Sequence, residues 1–133
     1  MIEQLPNQEK KILLDTNFLL VPYQFKLDIF AKLGEVIEGP HSFIVPTGVI
    51  QELQGLSTGK GKEGAAARFA LKLIRTRKPL EVESSGNVDN WILEYAKKTR
   101  IIVATNDRTL RSRLKRKRVK VISLLSRSRL GVV

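Results

Sequence analysis

The sequence contains no cysteine, and this absence removes several kinds of chemistry at once. Without thiols the chain can form no disulfide scaffold, no thiolate zinc site and no cysteine nucleophile. Any metal that it binds must therefore be held by oxygen ligands.

Long apolar segments are absent too. No run of eighteen apolar residues occurs, and residues 1–15 lack the order of basic, apolar and small-residue regions that marks a signal peptide. We therefore expect a cytoplasmic protein that does not associate with membranes. A length of 133 residues with 42% hydrophobic content fits one globular domain, which we assign to residues 1–133.

Acidic residues are scarce in one part of the chain. Residues 97–133 hold thirteen of the 24 Lys and Arg residues but only one of the 13 acids, Asp107, so the net charge of +11 resides in this segment. Counterion release makes so dense a basic segment bind phosphate backbones, which favours nucleic-acid contact over a merely solvated surface. A membrane surface is disfavoured because the segment lacks a bulky apolar face. The predicted phosphate contacts are Arg108, Arg111, Arg113, Lys115, Arg116, Lys117 and Arg118.

Short apolar runs alternate with helical periodicity along the chain. The runs predict buried strands at residues 12–14, 43–45, 101–104 and 119–125, with a weaker one at 80–83. Helices are predicted at residues 24–38, 48–56, 66–74 and 88–96, the second of them capped by Thr47. This order predicts an α/β fold with a mostly parallel sheet of four or five strands and helices on both faces.

Four carboxylates follow the predicted strands. One comes directly after the first strand, one lies within two turns of the second strand's end, one lies in the first turn of the helix leading into the third strand, and one closely follows the third strand. Ligands of such sheets bind at the carboxyl ends of the strands, so we expect these side chains to meet there. The four are Asp15, Glu52, Asp89 and Asp107.

Each of these acids also has an ordinary structural explanation. Asp15 and Asp107 could cap helices, Asp89 suits the positive end of a helix dipole, and Glu52 could face solvent. Gathered at one point, however, like charges repel strongly unless a cation lies among them. Oxygen ligands suit Mg²⁺ or Mn²⁺, so the cluster predicts a metal site for phosphodiester hydrolysis.

The segments that carry these acids resemble a known family. The stretches LLDTNFLL, VIQEL, VDNWILEYA and IVATNDRTL are similar to the four acidic motifs of PIN domains, which are small metal-dependent ribonucleases. The resemblance covers about residues 10–125, which we take as the core, followed by a basic C-terminal segment at 108–133. It implies a three-layer sandwich. Within the family the chain looks most like archaeal relatives of the PIN nuclease that cleaves precursor ribosomal RNA in the small-subunit processome.

The resemblance implies roles for particular residues. Asp15, Glu52, Asp89 and Asp107 would ligate one or two Mg²⁺ or Mn²⁺ ions and serve catalysis. Three further residues, Asn17, Thr105 and Asn106, would orient the site, although strand-end hydrogen bonding and turn formation explain them equally well. The implied substrate is ribosomal or precursor RNA. Implied protein partners are a second copy of the chain and ribosome-assembly proteins.

Two departures from the family pattern leave an alternative open. Asn90 stands where relatives often have a second Asp, and Thr109 stands where many have Asp. Both favour an RNA-binding assembly factor that is catalytically weak or silent, whereas the complete set of four acids favours an enzyme. A phosphoacceptor receiver domain is set aside, because no Lys follows the strand at residues 101–104 as that class requires.

Overall fold

A computed structural model describes residues 9–133, in which six strands form one sheet in the order β3-β2-β1-β4-β5-β6. The strands are β1 (Lys10–Leu14), β2 (His41–Pro46), β3 (Leu80–Val82), β4 (Ile101–Ala104), β5 (Lys120–Ser126) and β6 (Arg129–Val132). The first five are parallel and β6 is antiparallel to β5. The predicted α/β fold with a mostly parallel sheet is confirmed, with one strand more than expected.

Seven helices of the described residues cover both faces of this sheet. They are α1 (Thr16–Leu19), α2 (Val21–Phe25), α3 (Ile29–Val36), α4 (Thr47–Ser57), α5 (Lys62–Arg77), α6 (Val88–Lys98) and α7 (Arg108–Arg116). Alternate side chains of β1 enter two separate cores, because successive strand residues point to opposite faces. Ile12 and Leu14 pack with α1 to α5, whereas Leu13 packs with α6 and α7. None of these helices has the length and apolar composition of a membrane span.

Residues 1–8 lie outside the described part of the chain, so most of the segment judged not to be a signal peptide is not covered by the structure.

Strand β6 was not predicted. It forms a hairpin with β5 across Arg127 and Ser128, neither of which is a residue that two-residue hairpin turns favour. Its alternation is also faint, since Leu130 is its only buried side chain. The prediction failed because pairing with β5 and the burial of one leucine, rather than a local signal, define this strand.

The helix predicted at residues 24–38 is wrong as a single element. Helix α2 ends at Phe25, and Lys26 then adopts a left-handed conformation with φ of 53° that a continuous helix cannot contain. Asp28 restarts the helical backbone, because its carboxylate accepts a hydrogen bond from the Ala31 amide at 3.1 Å and so caps α3.

The predicted cap of α4 is also wrong, since Pro46 occupies the N-cap position and Thr47 is already helical. The Thr47 hydroxyl instead accepts a hydrogen bond from the Ser84 amide at 2.9 Å. This contact connects the start of α4 to the segment that leads into α6. The two helices carry the predicted site residues Glu52 and Asp89.

The order of strands creates a switch point between β1 and β4. The chain moves outward from β1 to β2 and β3, and then returns to the other side of β1 to form β4 and β5. The connections that leave β1 and β4 therefore diverge to opposite faces of the sheet and open a crevice at their carboxyl ends. Asp15 and Asp107 lie on the two sides of this crevice.

Helix α7 carries the basic segment from the carboxyl ends of the parallel strands to their amino ends. We call these two sides of the sheet the carboxyl edge and the amino edge. The helix begins after Asp107 at the carboxyl edge and runs nine residues, about 14 Å, before β5 starts at the amino edge. Lys117 and Arg118 follow the end of this helix and lie beside Lys10, at the start of β1. The basic residues were predicted as one phosphate-binding run beside Asp107, but these two lie at the opposite edge of the sheet.

Candidate active site

Asp15 is the buried centre of the candidate site. It directly follows β1 and is 3% exposed, although the carboxyl group of an aspartate is normally ionised at neutral pH. Its two carboxylate oxygens accept hydrogen bonds from the Thr16 amide at 2.8 Å and from the Thr105 hydroxyl at 2.7 Å. Burial nevertheless outweighs these bonds and raises the pKa of Asp15 from 3.8 to about 6, with the charges of Asp89 and Glu52 raising it further.

The charges of the other acids act on Asp89 in the same way. Partial burial raises the pKa of Asp89, and the nearby carboxylates of Asp107 and Glu52 add to the rise. Arg113 opposes them by lowering this pKa. The structure thus brings the four predicted carboxylates close enough for their charges to interact, as their positions after the strands led us to expect. Their roles as ligands and catalytic groups stay predictions.

Three of these carboxylates each accept hydrogen bonds from a nearby amide or hydroxyl group. Asp107 accepts a bond from the Leu110 amide at 2.9 Å and caps α7, which is its ordinary structural role. Asp15 caps α1, and Glu52 accepts a bond from the Thr16 hydroxyl. In the conformation described, no three acidic or histidine side chains within residues 9–133 converge on a single ion position.

The donor set still fits a hydrated divalent ion. Mg²⁺ commonly binds proteins through one or two carboxylates and keeps several of its waters, so it does not need three side chains in direct contact. Burial is the main cause of the raised pKa values of Asp15 and Asp89, and the charges of neighbouring carboxylates add to it, so a cation placed among them would favour the ionised forms. Ligation by Asp15, Glu52, Asp89 and Asp107 together, partly through water, is compatible with this arrangement.

The loop after β4 is fixed by a hydrogen-bond network. The Asn17 side chain accepts a bond from the Asn106 amide at 2.9 Å, and the Asn106 side chain accepts one from the Leu124 amide at 2.8 Å. The fully buried Thr105 accepts a bond from the Asp107 amide at 3.1 Å while its hydroxyl donates to Asp15. These contacts link β1, β4 and β5 and are also the strand-end and turn hydrogen bonds of the ordinary structural explanation, so the positioning role of Asn17, Thr105 and Asn106 stays a prediction.

Sequence reasoning missed several residues that support the site. The Thr16 hydroxyl holds Glu52, the Ser84 hydroxyl accepts a bond from the Gly48 amide at 2.8 Å, and the Ser123 hydroxyl donates to the Thr105 carbonyl. Only Ser123 carried a signal, since a polar residue in the apolar stretch VISLL calls for a buried partner. Ser84 lies in an ordinary polar segment and could not have been found.

Arg113 is the member of the basic segment that the structure places among the carboxylates. One of its guanidinium nitrogens donates to the Asn90 side chain at 3.0 Å, which holds it beside Asp89 on α6. The sequence analysis noted Asn90 only because it departs from the family pattern. In the structure, Asn90 positions the guanidinium group of Arg113. Arg108, Lys115 and Arg116 are exposed and Arg111 is partly exposed on the same helix.

Removal of the Thr105 hydroxyl should destabilise the site in a pH-dependent way. Thr105→Val keeps the shape but takes a hydrogen bond from a buried carboxylate, so we expect a loss of about 2 kcal/mol. Because this bond favours ionised Asp15, the loss should be larger at about pH 7.5 than at about pH 5, as measured by urea unfolding. Thr109→Val, on the exposed face of α7, is the matched control and should change little. Equal losses at both pH values would contradict the assigned contact.

Comparison with known proteins shows which family the sequence resembles. A family model described as a PIN-like domain matches residues 12–127. The chain is 36% identical over 116 residues to ribonuclease VapC9 of Archaeoglobus fulgidus, covering 86% of this chain and 83% of that protein. It is 30% identical over 116 residues to ribonuclease VapC4 of Methanocaldococcus jannaschii, covering 84% of this chain and 88% of that protein.

Two solved structures share the fold. The PIN domain endonuclease Utp24 matches with a TM-score of 0.78 at 22% identity, covering 92% of this chain and 90% of that chain. A domain of a functionally unknown protein from Methanocaldococcus jannaschii matches with a TM-score of 0.60 at 18% identity, covering 88% of this chain and 92% of that chain. The resemblance inferred from the four acidic motifs is confirmed, and the chain belongs to the PIN-like domain family.

Proposed function

We propose that this protein is a divalent-metal-dependent endoribonuclease that hydrolyses phosphodiester bonds in ribosomal or precursor RNA. The observation that carries the proposal is the group of four interacting carboxylates in the crevice between β1 and β4, next to the basic helix α7. The names of the related VapC proteins as ribonucleases, and of Utp24 as an endonuclease, support RNA cleavage.

The residues that would hold the Mg²⁺ or Mn²⁺ cofactor are Asp15, Glu52, Asp89 and Asp107. When bound there, a divalent ion would supply an activated water and offset the charge on the leaving oxygen. The chain itself would keep Asp15 in place, because its two carboxylate oxygens accept hydrogen bonds from Thr16 and Thr105.

Substrate phosphates would be held on the other side of the crevice. Arg113 is anchored by Asn90 beside Asp89, so its guanidinium is already oriented before RNA binds. Arg108 and Arg111 precede it on α7 and extend the positive charge toward Asp107. A bidentate guanidinium contact would place a phosphate against the carboxylates, which alone would repel it.

Cleavage of an end-labelled RNA tests this function. We expect products with Mn²⁺ or Mg²⁺ and none in chelator. A single 2′-deoxynucleotide at the cleaved position should leave the reaction intact, because water and not the 2′-hydroxyl attacks phosphorus. Cleavage that persists in chelator, or that stops at the 2′-deoxynucleotide, would contradict the proposal.

A catalytically silent RNA-binding assembly factor is the second candidate. It is favoured by Asn90 and Thr109 in place of acids and by the hydrogen bonds that give Glu52 and Asp107 ordinary structural roles. RNA binding without any cleavage under the same conditions would select it. Either function would suit a homodimer and contacts with ribosome-assembly proteins, as the resemblance implies.

A further inference from the structure

A strongly basic cavity lies at the amino edge of the sheet, opposite the carboxylates. It has a volume of about 720 Å³, and seven Lys and Arg residues and one acid, Glu9, are among its lining residues. The cations come from four places in the chain: the start of β1, the end of α6, the turn after α7 and the start of β5. Its apolar wall includes Ile101, Ile102 and Val119. We call this cavity the amino-edge pocket.

Little of this positive charge is balanced within the described residues. Lys11 pairs with Glu9 at 3.4 Å and Lys97 pairs with Glu94 at 3.5 Å. No acidic side chain of residues 9–133 pairs with the other cations of the pocket, among them Arg100 and Lys120. Crowded like charges destabilise a fold, and a bound polyanion relieves their repulsion.

Helix α7 connects this pocket to the candidate active site. Its first residue follows Asp107, and the turn after its last residue enters the pocket about 14 Å away. Lys115 and Arg116 are exposed on its last turn, between Arg113 and the pocket. Cations therefore recur along the helix between the carboxyl edge and the amino edge, and we call this series the track: Arg108, Arg111, Arg113, Lys115 and Arg116.

We propose that the amino-edge pocket binds the phosphate backbone of the RNA whose cleaved bond lies among the carboxylates, as a second anchor for one flank of the substrate. The inference rests on the proposed nuclease function and adds to it a requirement for RNA long enough to follow α7. An acidic protein segment would meet the same charges, but the track along α7 favours a partner with regularly spaced charges that also reaches the active site.

Binding of RNAs that are lengthened one nucleotide at a time tests the pocket. Each series extends one flank of the cleaved bond, and affinity is measured at several salt concentrations in chelator so that no RNA is cut. For one flank, we expect the salt dependence to steepen once the RNA reaches the pocket. The triple variant Lys97→Gln, Arg100→Gln, Lys120→Gln should lose this gain, with a slope of log affinity against log salt that is smaller by about 2, since each single-strand phosphate contact contributes about 0.7.

A matched triple variant controls for the loss of charge. Lys72→Gln, Arg75→Gln and Lys78→Gln remove one Arg and two Lys from exposed positions on and after α5, outside the pocket. This variant should keep the length-dependent gain. Equal losses in both triple variants, or no length dependence in the unmodified protein, would overturn the inference. So would competition by poly-glutamate as effective as that by RNA of equal charge.

The proposed nuclease function and the pocket can fail separately. If RNA is cut but affinity does not depend on length, the nuclease stands and the pocket is wrong. If length-dependent binding is seen but no RNA is cut with either ion, the pocket stands and the proposed catalysis is wrong.

Discussion

Asp15→Asn is expected to slow metal-dependent RNA cleavage by about a thousandfold or more, because a cofactor ligand that acts on transition-state charge contributes several kcal/mol. The substitution changes charge with almost no change in shape. Asparagine also caps helices as well as aspartate does, so α1 should keep its start. Initial rates on one labelled RNA, with either ion in excess, measure the effect.

Asp28→Asn is the matched control for this experiment. Asp28 is also the N-cap of a helix, α3, but it is exposed, pairs with Arg77 at 3.4 Å and lies outside the crevice. Its cleavage rate should stay close to that of the unmodified protein. Asp107→Asn, at the start of α7, should behave like Asp15→Asn because the charge of Asp107 acts on Asp89 within the same group of carboxylates. Undiminished cleavage by both site variants would exclude catalysis at this edge of the sheet.

The parts of the fold that the sequence predicts well are those defined by local patterns. Buried parallel strands are continuous apolar runs, and so Ile101–Ala104 could be recognised without knowledge of its neighbours. The position of Asp15 after one such run then follows from chain order alone. Because parallel strands share one carboxyl edge, the meeting of acids from distant parts of the chain could be predicted before any contact was known.

The parts that it predicts poorly depend on contacts between distant residues. The hydrogen bond from Thr105 to Asp15 joins residues 90 positions apart, so although the family resemblance implied that Thr105 orients the site, no local pattern identified Asp15 as its partner. Thr47 shows the reverse error, because a local capping rule was overridden by its contact with Ser84. Local propensities decide such positions only where tertiary contacts do not compete.

The count of charges identified the basic segment in the sequence but did not show the path that this segment takes across the sheet. In the sequence, the basic residues that follow Asp107 look like one surface. In the structure, the nine residues Arg108–Arg116 form a helix that runs from the carboxyl edge of the sheet to its amino edge. Arg113 therefore meets Asn90 near the carboxylates, while Lys117 lies at the amino edge. The fold therefore separates cations that can contact the reacting phosphate from cations that can contact a flank of the RNA. The sequence alone does not make this distinction.

In buffer without divalent ions, Asp15 should make the protein less stable as pH rises. Its pKa is raised from 3.8 to about 6 on folding, so the folded state binds the proton more tightly than the unfolded state. The stability that this provides is fully present below pH 3.8 and is lost as pH rises through about 6. A shift of about two units corresponds to about 3 kcal/mol, which is a large part of the stability of a small domain.

Urea unfolding of the unmodified protein and of Asp15→Asn, between about pH 4.5 and about pH 7.5, measures this contribution. Relative to the unmodified protein, Asp15→Asn should gain stability as pH rises, by about 2 kcal/mol over this window, because most of the titration of Asp15 falls within it. Asp28→Asn should show no such gain.

Added Mn²⁺ or Mg²⁺ should stabilise the unmodified protein most at the upper pH, where Asp15 is ionised, and stabilise Asp15→Asn much less. If the two proteins differ by a constant amount at every pH, burial does not penalise the Asp15 charge, and the electrostatic case for a cation among these carboxylates is lost.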